Sequence, residues 1–308
     1  MIAITSGEKY VDVDALACAV VYQELLTQEE KAAIVVFSGD LNHSISPLVK
    51  SQEYNTRKDL PENSIEGFVL VDVSDPEHIA SFVDLQKVKE VYDHHYGFID
   101  FWESKISPEN SKIEMIGACA TLIWEEFKKR GSSDISTSSA NLLSLAIVSN
   151  TLNLNSPLTS DRDRAALDEL EKYINFPSDW KKKYFSELEE FIFSNPKKAI
   201  INDTKIEKIP QLEKPLVIGQ IELWDGSDFV KNNIDSIRDS LGQKSNPYWM
   251  ISIPSIKEGW NYIYSENDMV KMLIQKVTGC SFLDNVCITN KLILRKEILR
   301  DLNKLDNS

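Results

Sequence analysis

Short apolar runs alternate with longer stretches of helical spacing through the first half of the chain. Residues 2–6, 32–37 and 67–73 are apolar and of strand length, and the first two close on the turn formers Gly7 and Ser38-Gly39. Residues 88–92 (Val-Lys-Glu-Val-Tyr) are less apolar, but their valines and tyrosine favour a strand. Residues 15–26, 76–84, 116–129, 138–152, 161–173 and 179–193 have the spacing of helices. Mostly apolar strands alternating with helices predict an α/β fold: a parallel sheet with helices on both faces.

A break follows. Ser194-Asn195-Pro196-Lys197-Lys198 has turn chemistry, and strand-like sequence resumes at Ala199. We expect a first domain over residues 1–187, a linker over 188–198 and a second domain over 199–308. The second reads as a smaller mixed-sheet α/β domain. Its strands are expected at 216–223, 248–253, 260–264 and 288–294, with helices near 226–241 and 267–277.

Composition narrows the class. At 308 residues, 42% hydrophobic and 27% charged, this is the make-up of a globular protein. A formal net charge of -14 argues against a broad nucleic-acid surface, so no long nucleic acid is expected as partner. No apolar run reaches membrane-spanning length, and no basic segment with an apolar core opens the chain, so no membrane partner is expected. Cys18, Cys119, Cys280 and Cys287 show no CxxC spacing and lie mostly in apolar runs. They read as reduced core residues of a cytoplasmic protein.

The strand ends carry the candidate chemistry. Asp12 and Asp14 stand two apart just before a helix of small residues; either could merely cap it. Asp72 sits within an apolar strand, where a carboxylate is costly unless paired or metal-bound. Asp93-His94-His95 closes the fourth strand, at the sheet edge where open α/β folds bind ligands. Carboxylates with an imidazole suit manganese, magnesium or a similar hard divalent ion. Several such groups converging suggest a two-metal site for splitting a phosphoester or phosphoanhydride.

These residues resemble the DHH phosphoesterase superfamily, whose tripeptide stands here at Asp93-His94-His95. Asp12-Val13-Asp14-Ala15, Leu70-Val71-Asp72, Gly117 to Ile123 and Ser149-Asn150-Thr151-Leu152-Asn153 with Ser156-Pro157 are similar to its further motifs. Asp203-Thr204-Lys205, residues 218–222 and Leu294-Arg295-Lys296 look like the DHHA2 domain of manganese-dependent (family II) inorganic pyrophosphatases and related exopolyphosphatases. The glycine-rich GGH motif of the nucleic-acid-cleaving branches has no counterpart here.

The resemblance implies a hydrolase holding manganese, magnesium or cobalt, two ions per chain or fewer. Asp12, Asp72 and Glu8 would bind one ion; Asp14, Asp72, His94 and Asn150 would bind the other. His95, Lys205, Arg295 and Lys296 would neutralise phosphoryl charge, with Asp93 orienting the nucleophile region or sharing its protons. The expected substrate is pyrophosphate or a short polyphosphate, with the two domains closing over it. A homodimer is also in keeping with the resemblance.

Two positions depart from the family pattern: Glu8 stands where a histidine is usual, and Asn150 where an aspartate is. An amide oxygen binds a hard cation more weakly than a carboxylate. Two alternatives therefore stay open: a hydrolase of another small phosphorylated compound, or a non-catalytic phosphate- or nucleotide-binding protein on the same scaffold.

Overall fold

The computed structural model describes residues 1–61, 65–95, 97–131, 134–242 and 246–305. They divide into two compact units, one of residues 1–154 and 158–184, the other of 155–157 and 185 onward. The division falls inside a single helix.

The first unit begins with β1 (Ile2–Thr5), the short β2 (Tyr10–Val11) and α1 (Val13–Gln28). After β3 (Ala33–Val35), β4 (Asp40–Leu41) and α2 (Pro47–Lys50) come β5 (Gly67–Val71), β6 (Val88–Asp93), α3 (Ile99–Glu103) and β7 (Ser111–Ile113). Helices α4 (Cys119–Lys129), α5 (Thr137–Asn150) and α6 (Asp161–Leu170) follow. The main sheet has the order β3-β1-β5-β6-β7, every neighbour parallel. Numbered along the chain, that is the doubly wound order 2-1-3-4-5, which reverses between β1 and β5. Every residue of β5 is buried, as a central strand covered on both faces requires. Phe68 and Leu70 face one layer with Ala3, Val91 and Trp102. Helix α1 packs on the sheet beside α4, with α5 against both, and the first ten residues of α1 are all buried.

The second unit holds most of α7 (Trp180–Ser194), then α8 (Pro196–Asn202), β8 (Thr204–Glu207), β9 (Leu216–Gln220), α9 (Phe229–Leu241), β10 (Trp249–Ser255), β11 (Trp260–Tyr264), α10 (Asp268–Thr278), β12 (Val286–Ile288) and α11 (Arg295–Lys304). Its sheet order is β12-β11-β10-β9-β8, with only β9 and β10 parallel. Alternate strand residues feed two cores. Val217, Ile251 and Ile253 pack with α8 and α9; Ile218, Met250 and Ile263 pack with α10 and α11.

Four sequence expectations need correction. Residues 76–84 form turns, because the chain here binds the loop after β1: Gly7 bridges Ile79, and Glu8 N–H donates to the His78 carbonyl at 2.8 Å. Residues 188–198 are almost wholly helical; Asn195 alone interrupts, because Pro196 is tolerated at the first position of a new helix. The strand expected at 288–294 is β12, displaced upstream. Beyond it the Asn261 side chain takes both backbone groups of Ile293, at 2.7 and 3.0 Å, in place of a strand ladder. Finally, Cys280 and Cys287 are joined as a disulfide with Cα atoms 6.0 Å apart, while Cys18 and Cys119 are free. Seven residues of separation hid that approach, and with it goes the cysteine argument for a reducing compartment. Among the described residues no helix is long and apolar enough to cross a membrane.

Candidate metal centre

Three segments meet at the carboxyl edge of the first unit's sheet, around the β1/β5 switch point. Asp12 is the N-cap of α1, its Oδ1 accepting from Ala15 N–H at 2.9 Å. Asp72 follows β5 directly. Its N–H still bonds the Tyr92 carbonyl at 2.8 Å, but its φ of 56° lies in the left-handed region. A non-glycine residue held there is strained, and such strain clusters at functional sites. Asp93 is the last residue of β6 and fully buried.

The group of Asp72, His94 and His95 brings one donor atom from each within 4.8 Å. His94 Nδ1 lies 3.2 Å from the Ile116 carbonyl and is therefore the protonated nitrogen. That leaves the Nε2 lone pair 3.4 Å from Asp72 Oδ1 and 4.0 Å from Asp14 Oδ2. Asp72 Oδ1 is buried and accepts no hydrogen bond. Burial, then the charges of Asp12 and Asp14, push the Asp72 carboxyl well above its ordinary range. A divalent cation would relieve all three penalties, and oxygen donors with one imidazole are the ligand set such an ion takes. The residues fit a metal.

His95 is placed differently. Its Nδ1 contacts Asp93 Oδ1 at 2.9 Å, and its backbone N–H donates to the same oxygen at 3.1 Å. The Asp93 hydrogen bond raises the His95 pKa above 6.5. Burial works against the Asp93 charge, yet the His95 hydrogen bond brings that carboxyl below its usual value. With Nδ1 committed to Asp93, the other ring nitrogen of His95 is the one left for a further contact. It lines a cavity of about 420 Å³ with Asp12, Asp72, Asp93, Ser6 and Tyr10.

Asp14 and Asn150 lie behind this group. Asp14 is completely buried at the start of α4, accepting from Cys119 N–H at 2.9 Å and Ala120 N–H at 2.8 Å. Asn150 Nδ2 donates to Asp14 Oδ2 at 2.9 Å. Glu8 does not join them: its carboxylate takes the Ser38 and Ser81 hydroxyls at 3.2 and 3.3 Å and the Ser81 N–H. Among the basic residues, all in the second unit, Lys205 on β8 and Lys296 in the first turn of α11 are exposed. Arg295 is instead held by Asp203, one nitrogen on its carbonyl and another on its carboxylate, both at 2.6 Å.

Sequence reasoning missed Asp163. This fully buried carboxylate accepts from Gly117 N–H at 3.0 Å, Ala118 N–H at 3.3 Å and Thr121 Oγ1 at 2.6 Å, and from the N–H and hydroxyl of Ser160. It thereby anchors the loop whose Ile116 carbonyl orients His94 and whose next turn grips Asp14. A Cβ on Gly117 would come within 2.6 Å of Asp163 Oδ2, which is why glycine stands there. The one signal was the Ser160-x-x-Asp163 capping pattern, which points to a helix start and not to a site.

The fold and this cluster define a doubly wound α/β protein with a carboxylate–histidine group able to hold a metal at its switch point. Comparison with known proteins agrees with the resemblance to manganese-dependent inorganic pyrophosphatases and exopolyphosphatase-related proteins. The chain is similar to a probable manganese-dependent inorganic pyrophosphatase of Lactobacillus delbrueckii subsp. bulgaricus, 30% identical over 168 residues, covering 54% of this chain and 53% of that protein. A counterpart in Brevibacillus brevis is 29% identical over 166 residues, covering 53% of this chain and 52% of that protein. The chain thus spans about half the length of the curated relatives it matches. No family model matches it. Among solved structures, a protein of Methanococcus jannaschii described as a putative family II inorganic pyrophosphatase superposes with a TM-score of 0.61 at 19% identity, covering 98% of this chain and all of that one. An exopolyphosphatase-related protein of Bacteroides fragilis gives 0.52 at 12% identity, covering 98% of this chain and 90% of that one. At those identities the likeness shows the fold, which is that of the family II pyrophosphatases.

Proposed function

We propose that the chain is a metal-dependent phosphohydrolase that splits a phosphoanhydride, with inorganic pyrophosphate or a short polyphosphate as substrate and manganese as its ion. The observation that carries this reading is the buried, unpartnered Asp72 Oδ1 facing His94 Nε2 at 3.4 Å, on the sheet edge where such folds bind ligands. The names of the curated relatives support the substrate and the metal. Asp72 and His94 are the residues that would hold the ion, with Asp12 beside Asp72 in the cavity wall. A bound divalent ion supplies Lewis acidity toward phosphoryl oxygens and lowers the pKa of a water.

The chain's own groups do the rest. Asp93 locks His95 through Nδ1 and leaves its Nε2 to donate to the substrate. Exposed Lys205 and Lys296 are suited to take up phosphoryl charge, whereas Arg295 is already neutralised by Asp203. The cavity of about 420 Å³ is of a size for a small phosphorylated compound.

The test is phosphate release from pyrophosphate and tripolyphosphate in manganese, cobalt or magnesium. Release that falls by at least about a thousandfold in Asp72→Ala is the expected result. No release from either compound at millimolar manganese would replace the hydrolase with a phosphate-binding protein. The Asn150–Asp14 hydrogen bond is the feature that favours this second reading, since it occupies a carboxylate otherwise open to a metal.

A further inference from the structure

Asp14 and Asp72 are both fully or almost fully buried, yet their oxygens are served in opposite ways. A carboxylate offers about four lone-pair positions. On Asp14 each is matched by a protein donor. Oδ1 receives Ala120 N–H at 2.8 Å and the Cys18 thiol at 3.4 Å; Oδ2 receives Cys119 N–H at 2.9 Å and Asn150 Nδ2 at 2.9 Å. Two of these donors are backbone groups at the N-terminus of the eleven-residue α4, whose partial positive charge also favours the carboxylate. Both lie in the first turn, where backbone N–H groups have no partner within the helix. Asp72 Oδ1 has no donor at all.

The orientation of Asn150 is decided by its surroundings. Its Nδ2 lies near two acceptors, Asp14 Oδ2 at 2.9 Å and the Ala146 carbonyl at 3.4 Å. Turning the amide oxygen to that side would set it against both. A carboxylate at 150 would bring acceptors only, beside the buried Asp14, and would call for a second cation.

Resting on the reading of this site as a divalent-metal centre, we propose that it holds one ion, between Asp72 and His94, and that Asn150 keeps Asp14 out of the coordination by hydrogen-bonding the oxygen a second ion would need. Asp14 is then a positioning residue, tying α1 to α4.

The experiment is equilibrium dialysis of the full chain against manganese, with electron paramagnetic resonance of the bound ion. The native chain is expected to bind one manganese with no exchange coupling, and Asn150→Asp to bind two that couple. Two coupled ions in the native chain would overturn the proposal, and so would a folded Asn150→Asp chain that still binds one. Because Asn150→Asp adds a charge beside a buried carboxylate, Asp14→Asn is measured as well, with circular dichroism to verify folding. It is expected to keep one ion with affinity within about threefold, where removal of a ligand or its direct support typically costs ten- to a hundredfold. Loss of the ion from a folded Asp14→Asn chain would refute the proposal. Phosphate release from pyrophosphate is followed on the same samples. One bound ion without release refutes the hydrolase reading alone; two bound ions with release refute the one-ion reading alone.

Discussion

Two polar clusters in the first unit, one half-buried and one almost wholly buried, invite comparison. Beneath α1, Tyr22, Glu29, Glu90, Tyr92 and Arg130 form a closed network. Arg130 grips Glu29 through two bonds of 2.6 Å and reaches the Tyr22 hydroxyl at 2.5 Å, while Glu90 accepts from Tyr22 and, at 2.9 Å, from Tyr92. Its positive charge is matched and its hydroxyls are used. At the carboxyl edge of the same sheet, Asp12, Asp14, Asp72 and Asp93 crowd like charges together, leave two buried oxygens (Asp72 Oδ1 and Asp93 Oδ2) unpartnered and hold a residue in left-handed backbone. The first arrangement is what a buried network needs to stabilise a fold. The second costs stability, and a chain retains such a feature where it serves a ligand.

Asp72→Ala should separate the two most sharply. Turnover should be abolished, while the melting temperature stays level or rises, because a buried carboxylate without a donor has been removed. A marked fall in melting temperature without metal would make Asp72 a structural residue. Arg130→Met is the reverse experiment. Stranding Glu29 and Glu90 should cost about 2–4 kcal/mol in denaturant unfolding yet leave manganese affinity unchanged. Weakened metal binding in the folded variant would mean that the clusters are coupled through β6.

Asp163→Ala should fall between them. It serves the packing and also holds the loop that orients His94, so manganese affinity should drop about 10- to 100-fold along with stability. Dialysis that shows full affinity would confine Asp163 to packing. The smallest effect lies in the second unit. Burial, then the neighbouring Asp203 charge, raises the Glu222 carboxyl from 4.5 to about 7. Below 4.5 the folded and unfolded chains both carry the proton and no penalty arises. Between 4.5 and about 7 the unfolded chain gives it up first, so stability falls as pH rises, and the loss is complete above about 7. Glu222→Gln should remove that slope and add roughly 2 kcal/mol at pH 8. An unchanged pH profile in Glu222→Gln would show that Glu222 titrates normally.

Much of this molecule was legible along the chain. Apolar runs of strand length marked β1, β3 and β5, because parallel strands covered on both faces must be apolar on both, and the valines and tyrosine of 88–92 marked β6. The same rule made Asp72 conspicuous, since an aspartate ending such a run needs a partner. Asp93-His94-His95 stood out by residue type. What stayed hidden depends on groups far apart in sequence or on backbone atoms that carry no side-chain signature. Glu8 was a candidate ligand until Ser38 and Ser81 claimed it. Asp14 and Asn150 counted as ligands by type, yet 136 residues of chain separate a donor and acceptor that the fold sets 2.9 Å apart. The backbone of Ile116, Cys119 and Ala120 does the orienting, and no residue name announces a carbonyl or an N–H. Sequence alone thus determined which side chains could bind a cation and which strands would carry them. Only the tertiary structure decided which of those carboxylates are already satisfied, because hydrogen-bond saturation is a property of the three-dimensional neighbourhood and not of the residue.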